Sequence, residues 1–194
     1  PTWFPEGKLP IHRTIRYSDW ALSEFFRQAS RQPWYRNTIF ILLADHTSGA
    51  VTEQYNSVPY NKQIPILIYA PSGIFRGTND RIVSQVDIMP TLLHLLGSQE
   101  PYFAFGSDMF SETTHTPVVF YADNAFDMVT DSLLYVLSDD GPVGVYDYRN
   151  DYRQQHNLLD ETRHAEAFRL MEAYVQQYYK ALSDRKYTPD NPKK

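Results

Sequence analysis

The segment that most constrains this chain is an unbroken apolar run, Thr38-Ile39-Phe40-Ile41-Leu42-Leu43-Ala44, ending abruptly on Asp45-His46. It is too short for a helix with a full buried face, and its β-branched and aromatic content favours a strand. After Thr38 it offers water no polar face, which suits a sheet covered on both sides. A second run, 64–70, places Pro65 near its start, where a missing N–H is tolerated, and ends at Pro71-Ser72-Gly73. It reads as another buried strand.

Helical patterns flank the two runs. From Ser18 or Asp19 to about Gln32, the residues Trp20, Ala21, Leu22, Phe25, Phe26 and Ala29 recur at helical spacing, and Pro33 stops the pattern. The segment 87–97 predicts a second helix, with Pro90 in its first turn and Gly97 at its end, packed on the sheet through Ile88, Leu92, Leu93 and Leu96. Strands alternating with helices imply an α/β layer fold. Beyond it, 118–121, 132–137 and 143–148 read as a small antiparallel meander, the last strand following a turn at Asp139-Asp140-Gly141-Pro142. A long terminal helix over about 160–182 follows from Ala165, Phe168, Leu170, Met171, Tyr174, Val175 and Tyr178. Residues 1–10 read as loop, and 183–194 as a polar, flexible tail.

Composition narrows the function classes. A chain of 194 residues that is 42% hydrophobic is long enough for one sizeable core. The net charge is −5 and the 18 Lys+Arg are scattered, so there is no electrostatic footprint for nucleic acid. The absence of cysteine excludes disulfides and thiolate metal sites. No run approaches the roughly 20 apolar residues of a membrane helix, so this segment itself is expected to make no membrane contact. The start, Pro1-Thr2-Trp3-Phe4-Pro5, carries neither an initiator Met nor a signal pattern, as expected of a piece of a longer protein.

Chemistry concentrates at Asp45 and His46. A carboxylate and an imidazole directly after a buried strand stand at the carboxyl end of the sheet, where open α/β folds place their ligands. Both side chains suit a hard or borderline divalent cation, although an Asp-His pair in that position also serves to cap loops. Three blocks in one order raise the metal reading. The block 37–47, ending Ala44-Asp45-His46-Thr47, resembles the strand and metal-ligand pair of the alkaline phosphatase/sulfatase superfamily. Ile64-Pro65-Ile66-Leu67-Ile68-Tyr69-Ala70-Pro71 resembles its following strand, and 83–97 its Asp-x-x-Pro-Thr-Leu helix, here Asp87-Ile88-Met89-Pro90-Thr91-Leu92. Further similar segments are Tyr17-Ser18-Asp19-Trp20, Phe105-Gly106-Ser107-Asp108-Met109-Phe110 and Val145-Tyr146-Asp147-Tyr148. Within the superfamily the chain looks most like the lipoteichoic acid synthase-like sulfatase group.

The resemblance implies the C-terminal part of an alkaline phosphatase-like three-layer α/β fold over 1–115. It adds a small antiparallel sheet and terminal helix of the same domain over 116–182. It implies Asp45 and His46 as ligands of a divalent metal (zinc, manganese or calcium) in a parent enzyme whose nucleophile and acidic ligand lie upstream. The fragment alone is then expected to be inactive and to hold metal weakly or not at all. The expected substrates are phosphate or sulfate esters, including glycerophosphate transfer to an envelope lipid or glycan, by a membrane-anchored parent with its catalytic domain outside the cytoplasm. Two departures stand out. Thr47 occupies a position where related enzymes commonly have glycine, and Lys62 is too close to Ile64 to match the substrate lysine of sulfatases.

Plainer roles are expected elsewhere. His94 reads as a core or edge histidine, and His12, His115, His156 and His164 lack ligand-like spacing. Asp87 and Thr91 read as bracing their helix, and Asp19 as an N-terminal helix residue. Tyr60, Asn61 and Lys62 read as a solvated loop or the mouth of a site. The rival class is a noncatalytic module that binds glycans or envelope proteins through Tyr and Trp faces, although the aromatics fall mostly at core spacing.

Overall fold

In the computed structural model, which describes residues 7–113 and 116–185, the first apolar run forms strand β1 (Phe40–Leu43) and the second forms strand β2 (Ile66–Tyr69). They pair antiparallel, Phe40 opposite Tyr69 and Leu43 opposite Ile66. The first part of the entry segment, His115 and the tail after Arg185 lie outside the described residues. Two compact units divide the chain between Asn79 and Asp80.

The first unit is built around Phe40. Its ring lies 5.0 Å from Phe26, 5.6 Å from Tyr35 and 6.0 Å from Tyr69, and the Tyr35 and Tyr69 hydroxyls bond at 3.0 Å. Phe26 is supplied by helix α1 (Ile11–Ala29), whose last residue, Ala29, is buried. Edge-to-face and tilted aromatic pairs contribute about 0.5–1.5 kcal/mol each beyond their buried area, so this cluster fastens helix to hairpin. Helix α1 starts earlier than the expected Ser18 or Asp19, directly after Pro10, whose backbone is already helical. Ile11 and Ile15 extend the stripe by one i, i+4 step, which leaves Asp19 in mid-helix and exposed. The helix ends at Ala29 and not Gln32, because Arg31 and Gln32 close tighter turns onto Gln28 and Ala29.

Burial on both faces of this sheet is not observed. Leu43 is 39% exposed and Leu67 55%. Among the described residues β1 has a single partner strand. Trp20, Leu22 and Phe25 of α1 are likewise exposed.

In the second unit a capping box at Ser84 and Asp87 leads into helix α2 (Ile88–Leu95). Asp87 is buried. One of its carboxylate oxygens accepts the Ser84 N–H and the other the Ser107 N–H, both at 2.7 Å. Thr91 donates to the Asp87 carbonyl at 2.6 Å and accepts the Met109 N–H at 2.9 Å. The two side chains therefore bind the 106–109 loop as well as their own helix. A Cβ on Gly106 would stand 2.2 Å from the Val86 carbonyl oxygen, so only glycine lets the loop approach this closely. Pro90 is buried in the first turn. At the other end Gly97 (φ +67°) and Ser98 donate to the His94 and Leu93 carbonyls, both at 2.9 Å, a Schellman closure. Leu96, expected to pack, is 70% exposed, because it is the cap residue and has left the buried stripe.

The meander has four strands, β3 (Val118–Ala122), β4 (Ala125–Val129), β5 (Leu133–Ser138) and β6 (Gly141–Asp147), all antiparallel in chain order. β4 was not expected. Asp123 and Asn124 both have positive φ (49° and 63°), the two-residue hairpin geometry that suits strand twist. Pro142 is tolerated because β6 is an edge strand. Helix α3 (Glu161–Asp184) starts where Asp160 accepts the Thr162 and Arg163 N–H groups at 3.0 Å. Phe168 and Met171 pack with Met128, Tyr135, Leu137 and Val145 of the sheet in one core. His164 is buried edge-on to Tyr135, whereas Leu170, expected in the stripe, is exposed beside it. No described helix is long and apolar enough to cross a membrane.

Two outcomes follow. Met171→Ala removes a fully buried side chain and should lower unfolding stability by about 2–5 kcal/mol in urea titration. Hydrogen bonds from the Asn150 side chain and backbone N–H hold the Asp147 carboxyl below its usual range. A depressed folded pKa means that its stabilisation is present above the unfolded carboxyl value of about 3.9 and is lost as pH falls through the folded value. Asn150→Ala should raise the Asp147 midpoint in a carboxyl NMR titration and narrow that acid window.

Candidate metal-binding site

The backbone leaves β1 at Leu43, and Asp45 and His46 follow in the next loop, side by side and 88% and 79% exposed at their side chains. The His46 N–H donates to Asp45 Oδ1 at 2.9 Å. This bond turns the carboxylate toward the imidazole, and Asp45 Oδ2 lies 3.6 Å from His46 Nε2. On the other side of the ring, Nδ1 is 2.7 Å from the Thr47 carbonyl oxygen. A carbonyl can only accept, so Nδ1 is the donor in this bond, which leaves Nε2 as the ring nitrogen whose lone pair a metal could take.

The loop is held from behind. The Thr47 hydroxyl donates to the Asn61 carbonyl. Asn61 lies in a 3-10 turn, Tyr60–Lys62, and its N–H bonds to the Ser57 carbonyl at 2.8 Å. Asn56 receives the Ala50 N–H and donates to the Ala50 carbonyl, both at 2.9 Å. Of the three residues 60–62, Asn61 thus supports the loop bearing the pair, and Lys62 is exposed.

The donor set fits a divalent ion. Two donors about 2.1 Å from a tetrahedral ion stand about 3.4 Å apart, close to the Oδ2–Nε2 separation, and a carboxylate oxygen with an imidazole nitrogen is a usual zinc or manganese combination. Among the described residues no group of three or more His, Cys, Asp or Glu side chains comes together that could hold a metal ion.

The remaining histidines fall elsewhere. His94 is exposed on α2, not in the core, and its Nδ1 is 2.5 Å from Asp108 Oδ2. His156 pairs with Asp151 at 3.2 Å, and His164 Nδ1 accepts the Asp160 N–H at 3.3 Å. Neither the Thr47–Asn61 bond nor the His94–Asp108 pair was expected. Both bridge 14 residues through irregular backbone, where no periodicity signals contact.

The sulfatase family model matches residues 11–98. Lipoteichoic acid synthase 1 of Bacillus subtilis (strain 168) is 31% identical over 123 residues, 56% of this chain and 19% of that protein. Lipoteichoic acid synthase of Staphylococcus aureus (strain USA300) is 31% identical over 141 residues, 64% of this chain and 21% of that protein. A solved alkaline phosphatase superfamily protein from Vibrio parahaemolyticus superposes with a TM-score of 0.78 at 27% identity, over 98% of this chain and 47% of its own. The structure of BT4656 with its substrate D-glucosamine-2-N,6-O-disulfate shares the fold at a TM-score of 0.56 and 13% identity, over 92% of this chain and 41% of its own. The chain thus spans about a fifth of the length of these curated relatives and just under half of the solved chains. It has an alkaline phosphatase/sulfatase-superfamily fold and is homologous over part of its length to the lipoteichoic acid synthase-like sulfatases.

Proposed function

We propose that this chain is part of the catalytic domain of a metal-dependent enzyme acting on phosphate or sulfate esters, and that Asp45 and His46 are two of the metal's ligands. The observation that carries this reading is the exposed Asp45 carboxylate beside the His46 Nε2 lone pair, 3.6 Å apart directly after β1. When bound, a divalent ion supplies charge for a developing oxyanion and lowers the pKa of a coordinated nucleophile. Asp45 contributes negative charge and His46 a neutral nitrogen, and the Asp45 Oδ1 bond to the His46 N–H keeps the two donors on one side of the loop. The remaining ligands and the nucleophile come from the parent's preceding residues. The parent is a hydrolase, or a phosphotransferase that delivers glycerophosphate to an envelope lipid or glycan, anchored in the membrane with this domain outside the cytoplasm. The match to two lipoteichoic acid synthases supports the transferase branch.

A second reading, a glycan-binding face, is favoured by one feature of the second unit. Tyr121, Phe126, Tyr179, Tyr178, Phe105 and Phe103 form a chain of rings with successive centroids 4.9–6.2 Å apart, and Tyr121 and Tyr179 are more than half exposed.

The chain alone, assayed with nitrophenyl phosphate and nitrophenyl sulfate in excess zinc, manganese or calcium, should show no turnover. The longer protein should turn over one of them and lose at least about 100-fold on Asp45→Ala or His46→Ala. Turnover by the chain alone that vanishes in both variants would mean that it needs no upstream nucleophile. An active parent indifferent to both substitutions would remove the metal role.

A further inference from the structure

An exposed histidine has little to fix its ring. The His46 side chain is 79% exposed, so packing does not choose its rotamer or tautomer. In water the tautomer protonated at Nε2 is the more populated form of a free histidine side chain, and it hides the lone pair that faces Asp45. The contact from Nδ1 to the Thr47 carbonyl at 2.7 Å favours the other tautomer, provided that the carbonyl is itself held in place.

Thr47 is partly buried, unlike its two neighbours on either side. Its hydroxyl crosses 14 residues of sequence to the Asn61 carbonyl. Asn61 is anchored through its own N–H to Ser57. A continuous set of hydrogen bonds therefore runs from the 3-10 turn at Tyr60–Lys62, through the Thr47 hydroxyl and backbone, to the imidazole.

We propose that Thr47 is a positioning residue: by tethering to Asn61 it holds the carbonyl that keeps His46 protonated at Nδ1, with the Nε2 lone pair beside Asp45. The proposal deepens the metal-ligand reading of Asp45 and His46 and rests on it for its purpose, though not for the tautomer itself. Partners that orient a ligating histidine through its other ring nitrogen typically change metal affinity 10–100-fold when removed. With a partial coordination sphere the lower end is expected.

The test uses the 194-residue chain with 15N-labelled imidazoles at about pH 8, above the ordinary histidine range. Long-range 1H–15N spectra report the tautomer of His46, and a titration with zinc chloride follows the same resonances. Wild type and Thr47→Ser should be mainly Nδ1-protonated. Thr47→Val, similar in shape but without the hydroxyl, should move toward the Nε2-protonated form and bind zinc about tenfold more weakly. Its melting temperature and the signals of buried His164 should stay unchanged. If Thr47→Val unfolds, Thr47→Ala makes the same comparison. A valine or alanine variant that keeps the wild-type tautomer overturns the proposal, and so does a serine variant that fails to restore it. The metal reading is tested separately in the longer protein, where a metal affinity that ignores Asp45→Ala and His46→Ala would overturn it, while the tautomer comparison still decides the role of Thr47.

Discussion

The register of β1 against β2 decides what the loop after β1 presents. Side chains alternate along a strand, so a slip of one residue would turn every apolar contact of the hairpin to the opposite face and move the exit point of the loop. Phe40 opposite Tyr69 is the pair that prevents it. Phe26 packs on both rings, and the Tyr35 hydroxyl bonds the Tyr69 hydroxyl, so the wrong register would lose several aromatic contacts and a hydrogen bond together. Asp45 and His46 are neither buried nor packed. Their position is inherited from this cluster and from the Thr47–Asn61 tether behind them.

The second unit uses polar groups for a comparable purpose. The segment Asp87-Ile88-Met89-Pro90-Thr91 looks like a helix start, and its two polar side chains also serve a distant loop, Asp87 at Ser107 and Thr91 at Met109. A buried carboxylate is costly unless hydrogen-bonded, and here both of its oxygens receive backbone N–H groups. This gives a physical reason for the two segments 83–97 and 105–110 to occur together. The first carries the acceptors, and the second supplies the N–H donors and the glycine that permits the approach.

Much of this was legible in the sequence because it follows from periodicity and local chemistry. The two apolar runs, the Pro90 and Gly97 bounds of α2, three strands of the meander and the long α3 come from such patterns, although β1 ends at Leu43 and not at the expected Ala44. The misses are cases where local signals conflict or where partners are distant. β4 is short and carries a buried Asp127 in its middle, which masks the strand. α1 begins without a side-chain cap, so Ser18 and Asp19 drew the boundary inward. Exposure of Leu43 and Leu67 depends on how many strands surround them, which a run of apolar residues does not encode. The Thr47 tether is tertiary, and nothing in the spacing of Thr47 and Asn61 announces it.

The metal-ligand reading of Asp45 and His46, placed by β1, makes a crystallographic prediction. Anomalous diffraction at the zinc edge, from crystals of the longer protein soaked in zinc chloride, checks it. The expected result is a peak about 2.0–2.2 Å from both His46 Nε2 and an Asp45 carboxylate oxygen. Zinc bound at other side chains, with none at this pair, would contradict it.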